Sequence, residues 1–240
     1  MKKHIKKISS VIVAVTVICC GAFAFYVSDF YRSDATAAAS VADSETVSVE
    51  VTDDMVIFRP ENTEAGFVFY PGGKVEYTAY APLMHALAQN NIACIITHMP
   101  FNLAVLDTDA AEKACEKISG VDSWYIGGHS LGGSMAASFA ADSDIDFEGI
   151  ILLASYSTAD LSSADLKALS VYGTEDGVLN MEKYRENYSN LPQNTTEVIL
   201  FGGNHAQFGS YGVQKGDGTA EITAEQQIEH TVTAIVDFIQ

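Results

Sequence analysis

Three residues of this chain stand just after apolar runs and carry side chains that could do chemistry together. The first is Ser130, in Gly128-His129-Ser130-Leu131-Gly132, which fits G-x-S-x-G between "SWYIGG" and "LGGSMAASFAA". A serine between strand and helix in this pattern sits on a sharp, strained turn, so its flanking positions must be bare. Gly128 and Gly132 supply that room, and Gly133, Ser134, Ala136 and Ala137 keep the following helix thin. A helix start also offers backbone N–H groups to a developing oxyanion. The chemistry implied is attack of a hydroxyl on an acyl carbonyl. A tight glycine turn with an incidental serine is the alternative.

A serine hydroxyl needs a base, and the base needs an orienting acid. Where such a turn tops a sheet, the acid and then the base follow the serine along the chain. Only His205 and His230 follow Ser130. His230 falls inside the last helical pattern and reads as a surface residue. His205 ends the apolar run "TEVILFGG" and is the expected base. The acid should follow "KALSVYG", where "GTEDGV" offers Glu175 and Asp176. Asp176, backed by Gly177, is the favoured acid and Glu175 the fallback; a helix cap or turn is the other reading of Asp176. An oxyanion needs two donors: the N–H of Leu131, and one from "PGGKVEY", where Gly72, Gly73 and Lys74 all qualify. Asn102 in "THMPFNLAVL" and the polar residues Gln207 and Tyr211 after His205 are expected to line the substrate pocket. Plain packing and a flexible connection to the last helix are the competing readings.

These residues need a scaffold that brings strand ends together. From Val47 onward strands and helices alternate. "VSVEV" and "MVIF" read as an antiparallel pair, and "GFVFY", "IACIITH", "SWYIGG", "EGIILLAS", "KALSVYG" and "TEVILFGG" as strands of a mostly parallel sheet. Stretches of helical spacing separate them, ending with "TAEQQIEHTVTAIVDFI". The pattern predicts an α/β fold with helices on both faces and ligands outside the C-terminal strand ends.

The N-terminus is a different object. Lys2, Lys3, Lys6 and Lys7 precede an uncharged run from Val11 to Val27, and aromatics cluster at its far end. A single-pass anchor from about Ile8 to Val27, with a cytoplasmic N-terminus, is the favoured reading; cleavage as a signal near Ala24 is the alternative. The expected organisation is an anchor over residues 1–32, a linker over 33–46 and one domain over 47–240. With 13 basic and 31 acidic residues, net charge −18, the surface repels nucleic acid. Cys94 and Cys115 read as buried free thiols, with a disulfide as the alternative. The acidic stretch Asp142 to Gly149 has Phe147 and Leu153 where a calcium loop needs glycine and glutamate, and neither His85 nor His98 shows metal-ligand spacing. No metal and no cofactor are expected.

The segments "FVFYPGG", "GGHSLGG", "VYGTEDGV" and "GGNHAQFGSYG" together resemble small alpha/beta-hydrolases of the dienelactone-hydrolase-like type, over about residues 54–240. The resemblance implies Ser130 as nucleophile, Asp176 as acid and His205 as base. The chain departs from it at Tyr70-Pro71, where many relatives carry His-Gly, which leaves the loop donor open. Tyr156 to Leu166 is too short for the cap domain of larger members. The expectation is a serine hydrolase acting outside the cytoplasmic membrane on a small ester or similar acyl substrate. A peptidase or transacylase working on cell-envelope material, and a non-catalytic surface binding protein, are the alternatives.

Overall fold

The apolar runs become strands and the periodic stretches between them helices. The computed structural model describes the backbone of residues 2–240 and the side chains of residues 12–240. Strands β1 (Val47–Val51), β2 (Met55–Pro60), β3 (Ala65–Tyr70), β4 (Ile92–Thr97), β5 (Trp124–His129), β6 (Phe147–Leu153), β7 (Lys167–Gly173) and β8 (Thr195–Leu200) form a sheet in the order β1-β2-β4-β3-β5-β6-β7-β8. β1 pairs antiparallel with β2, Val51 opposite Val56, and β2 pairs antiparallel with β4. All other neighbours are parallel.

Side chains along a strand alternate between faces, and here both faces are apolar. Phe67, Phe69, Ile96 and Leu153 join one core with Tyr80, Leu83 and Ile235, which come from the segment around α3 (Ala81–Ala88) and from α7 (Ala224–Ile239). Val68, Tyr70, Ile95 and Leu152 join the other, with Ala111 and Ala114 of α4 (Ala110–Cys115) and Ala136 and Ala137 of α5 (Leu131–Asp142). Pro82 sits in the first turn of α3, where its missing N–H breaks no helical bond. A further helix, α6 (Met181–Asn187), follows β7. Residues 154–166, between β6 and β7, contain no helix, so no cap rises there. Cys94 and Cys115 are free, and burial pushes both thiols up, Cys115 to about 12.

The chain divides into two units, residues 1–30 and Tyr31–Gln240. The first is a helix, Lys2–Ser28. Among the described residues no helix is long and apolar enough to cross a membrane, so the described structure does not bear out the expected transmembrane segment. The side chains of Lys2, Lys3, Lys6, Lys7 and of Ile8 to Val11 lie outside those described.

The expected linker over residues 33–46 is corrected: this stretch is part of the domain. A short helix, residues Ala35–Ser40, is capped by Asp34, whose carboxylate accepts the N–H groups of Thr36 and Ala37 at 2.8 and 3.0 Å. Ala37 is fully buried. The N–H of Asp34 donates to the Ser210 carbonyl at 2.9 Å, and Ser33 donates to Glu76. Tyr31 already forms a bridge with Val75, so the domain begins before residue 33. Small side chains, which suggested a loose tether, are what allows this close packing. Ala37→Asp therefore places an unpaired carboxylate in the core and is expected to cost about 3 kcal/mol, read as a drop of about 10 °C in the thermal midpoint. An unchanged midpoint would mean that the segment is a free tether.

Candidate active site

Ser130 lies between β5 and α5 with φ 53° and ψ −121°, a conformation that L-residues rarely hold. Close packing enforces it. A Cβ at Gly128 or Gly132 would run into the Tyr70 carbonyl oxygen. The Ser130 N–H donates to the Leu153 carbonyl at 2.9 Å, and its carbonyl accepts the Ser155 hydroxyl at 2.7 Å. The turn is thus bolted to β6, with the side chain facing the loops.

The expected acid and base follow the ends of β7 and β8. Asp176 Oδ1 accepts the N–H groups of Val178 and Leu179 at 2.8 and 2.7 Å, and Oδ2 accepts Nδ1–H of His205 at 2.9 Å. Asp176 therefore both caps its own turn and bonds the imidazole. The two side chains are 2% and 1% exposed. Glu175 instead accepts a hydrogen bond from Thr174, and His230 is exposed on α7. With Nδ1 committed to Asp176, Nε2 of His205 is left without a hydrogen-bond partner among the described residues. Ser130 and His205 line one cavity of about 210 Å³.

Sequence reasoning passed over His129 and Tyr80. His129, the residue before the serine, is fully buried, its ring 4.4 Å from that of His205 and 5.6 Å from Phe208. Burial, and then the neighbouring His205, hold its imidazole well below the ordinary value. It is neutral, and its Nδ1 lies 2.8 Å from the Tyr80 hydroxyl. Burial also raises the Tyr80 phenol, so it keeps its proton and donates to Nδ1. The same oxygen accepts the Gly72 N–H at 3.0 Å. The only advance signal for Tyr80 was a tyrosine at helical spacing near the glycine loop.

That bond engages one of the expected oxyanion donors. The Gly72 N–H is occupied by Tyr80, and the Lys74 N–H donates to the Asn102 carbonyl at 2.7 Å. Among the described residues the Gly73 N–H has no acceptor. Gly73 lies against Leu131, where an added Cβ would come within 2.8 Å of the leucine side chain. The Leu131 N–H, first in α5, has no partner within its helix. Of the expected donors, the N–H groups of Leu131 and Gly73 are the two without a hydrogen-bond acceptor among the described residues.

The expected pocket residues do not reach this cavity. Asn102 uses its backbone to hold Lys74. Gln207 lines a separate cavity of about 280 Å³, and Tyr211 is buried with its hydroxyl on Gln214 at 3.0 Å. Ser210 donates to the Ala79 carbonyl at 2.7 Å, which ties down the segment that carries Gln207 and Tyr211. The walls come instead from Ser134, from Ser155 and Tyr156 after β6, and from Val178, Leu179 and Asn180 after β7.

Residues 66–229 match the model of the alpha/beta hydrolase family. The chain belongs to the alpha/beta hydrolase family. Solved structures share the architecture. TT1662 from Thermus thermophilus superposes with a TM-score of 0.59 at 13% identity, over 81% of this chain and 98% of that one. A predicted CIB-like hydrolase from Thermoplasma acidophilum gives 0.57 at 16%, over 80% and 98%. Esterase 2 of Thermogutta terrifontis, solved phosphoramylated by tabun, gives 0.55 at 16%, over 82% and 96%. No curated protein gives a match.

The neutral histidine of this hydrolase has a measurable consequence. An unfolded imidazole takes up a proton below about pH 6.5, whereas buried His129 does not. Stability from this group is fully present above that pH and is lost as pH falls toward the depressed folded value. The slope approaches about 1.4 kcal/mol per pH unit. Urea titrations between pH 6.5 and 5 should show it in the wild type, and His129→Asn should remove it. Parallel pH curves for the two proteins would mean that His129 is protonated in the fold.

Proposed function

We propose that this hydrolase cleaves carboxylic esters through an acyl-enzyme on Ser130. One observation carries the reading: Asp176 and His205 form a buried pair 2.9 Å apart that leaves Nε2 without a hydrogen-bond partner among the described residues, and His205 lines the same cavity as Ser130. Nε2 takes the proton of the serine hydroxyl as Oγ attacks the carbonyl carbon. Asp176 keeps the proton on Nδ1 and stabilises the imidazolium that forms. The N–H groups of Leu131 and Gly73 receive the oxyanion. Nε2 then protonates the departing alcohol, and a water activated by the same nitrogen releases the acid. Support also comes from Esterase 2 of Thermogutta terrifontis, a fold relative solved phosphorylated by paraoxon. The small cavity and the helix-free connection after β6 suit short acyl groups on exposed esters.

Ser130→Ala and His205→Ala should each lower kcat by about 10⁴-fold or more, and Asp176→Asn by roughly 10³–10⁴-fold. p-Nitrophenyl acetate turnover measures this, and a fluorophosphonate probe should label the wild type at Ser130. Either alanine variant turning over near the wild-type rate would sink the proposal.

The site of action belongs to the same proposal. Four lysines before the uncharged run from Val11 to Val27 favour an N-terminus held in the cytoplasm and a domain outside the membrane. The full-length protein should resist carbonate extraction from membranes, and protease added to intact cells should digest its domain. Recovery of the intact protein in the cytosolic fraction would overturn this location.

A further inference from the structure

The glycine-rich segment after His205 ends in an aspartate that the reaction scheme leaves unused. Asp217 Oδ1 accepts the N–H groups of Gly177 at 3.1 Å, His205 at 3.2 Å and Gly218 at 2.8 Å. Its Oδ2 accepts the Ala206 N–H at 2.8 Å. One carboxylate thus holds the residue after the acid, the base itself and the residue after the base. The strand ends are joined upstream, Glu175 N–H to the Gly203 carbonyl at 2.8 Å, but that bond precedes both functional side chains. Asp217 grips the chain beyond it.

The surroundings keep the carboxylate in place. The Gly218 carbonyl accepts the Asn204 side chain at 2.9 Å, and the Lys215 N–H donates to the Tyr31 hydroxyl at 3.0 Å. A Cβ at Gly177 would come within 2.7 Å of the Gly216 carbonyl, and one at Gly218 would run into the Glu175 carbonyl. The two loops meet backbone to backbone, closely enough for one short side chain to bond both. Backbone N–H groups aimed at a point need an acceptor with several lone pairs, and a carboxylate offers about four. Asparagine of the same shape offers one oxygen and turns an NH₂ toward groups that are themselves donors.

We infer that Asp217 is a positioning residue: it sets the acid loop and the base loop relative to each other, and so fixes where His205 Nε2 stands in the cavity. The inference rests on the serine-hydrolase reading for its effect on rate. Its effect on the Asp176–His205 pair is independent of that reading. An imidazole displaced by about 1 Å costs about 100-fold in rate without touching substrate binding.

The test uses full-length protein carrying Asp217→Asn or Asp217→Ala, with kcat taken per serine titrated by a fluorophosphonate, so that unfolded protein does not count. Both variants should lose about 100-fold in kcat with KM within about twofold. The low-field proton resonance of His205 Nδ1–H should shift or broaden in both. A kcat per titrated serine within about twofold of wild type, or an unmoved Nδ1–H resonance, overturns the inference. The resonance reads the pair whether or not Ser130 attacks esters. A wild-type chain inert toward esters and toward the probe would therefore end the hydrolase reading and leave the resonance to decide on Asp217.

Discussion

A carboxylate and an imidazole buried 2.9 Å apart at the C-terminal edge of the sheet are the contact on which the site depends. Burying a carboxylate is costly unless its lone pairs are satisfied. Asp176 meets that condition with two N–H groups of its own turn and the Nδ1–H of His205. The pairing decides the imidazole's tautomer, and hence which nitrogen is left without a partner. It also demands that the ends of β7 and β8 stay in register, which parallel pairing from Ala168–Thr195 to Gly173–Leu200 provides.

A second constraint surrounds the base. His205 lies against another imidazole, His129, and two positive charges there would repel at close range in a poorly solvated site. Full burial keeps His129 neutral, and the Tyr80 hydroxyl fixes its tautomer by donating to Nδ1. Because the same hydroxyl takes the Gly72 N–H, one tyrosine ties the glycine loop to the serine turn. A single buried phenol thus bonds both the glycine loop and the residue before Ser130.

The segment from Tyr31 to Ser40 extends this coupling. Tyr31 bonds Lys74 and Glu76 through its backbone and Lys215 through its hydroxyl, while Asp34 bonds Ser210. It therefore touches both the glycine-loop side and the base-loop side of the site. A stretch that reads as a tether by composition is part of the frame holding the loops of the candidate site.

What the sequence determined by itself is what local chemistry demands. Apolar runs, with the alternating "VSVEV" at the start, named the eight strands, and glycine spacing named the turn at Ser130, because a strained turn packed on the Tyr70 carbonyl admits no flanking side chain. Chain order then pointed to His205 and Asp176. Three features were decided only by the tertiary structure: which N–H groups of the glycine loop are already bonded, which residues line the cavity beside Ser130, and the docking of residues 33–46. Each rests on contacts between residues far apart in the chain, such as Tyr80 with His129 across 49 residues and Tyr31 with Lys215 across 184. Asn102, Gln207 and Tyr211 follow strand ends, yet none of them lines the cavity of Ser130 and His205, and a bond from Ser210 to Ala79 ties down the segment that carries the last two. Composition fixes which groups can bond; the closure of the loops over one another fixes which of them do.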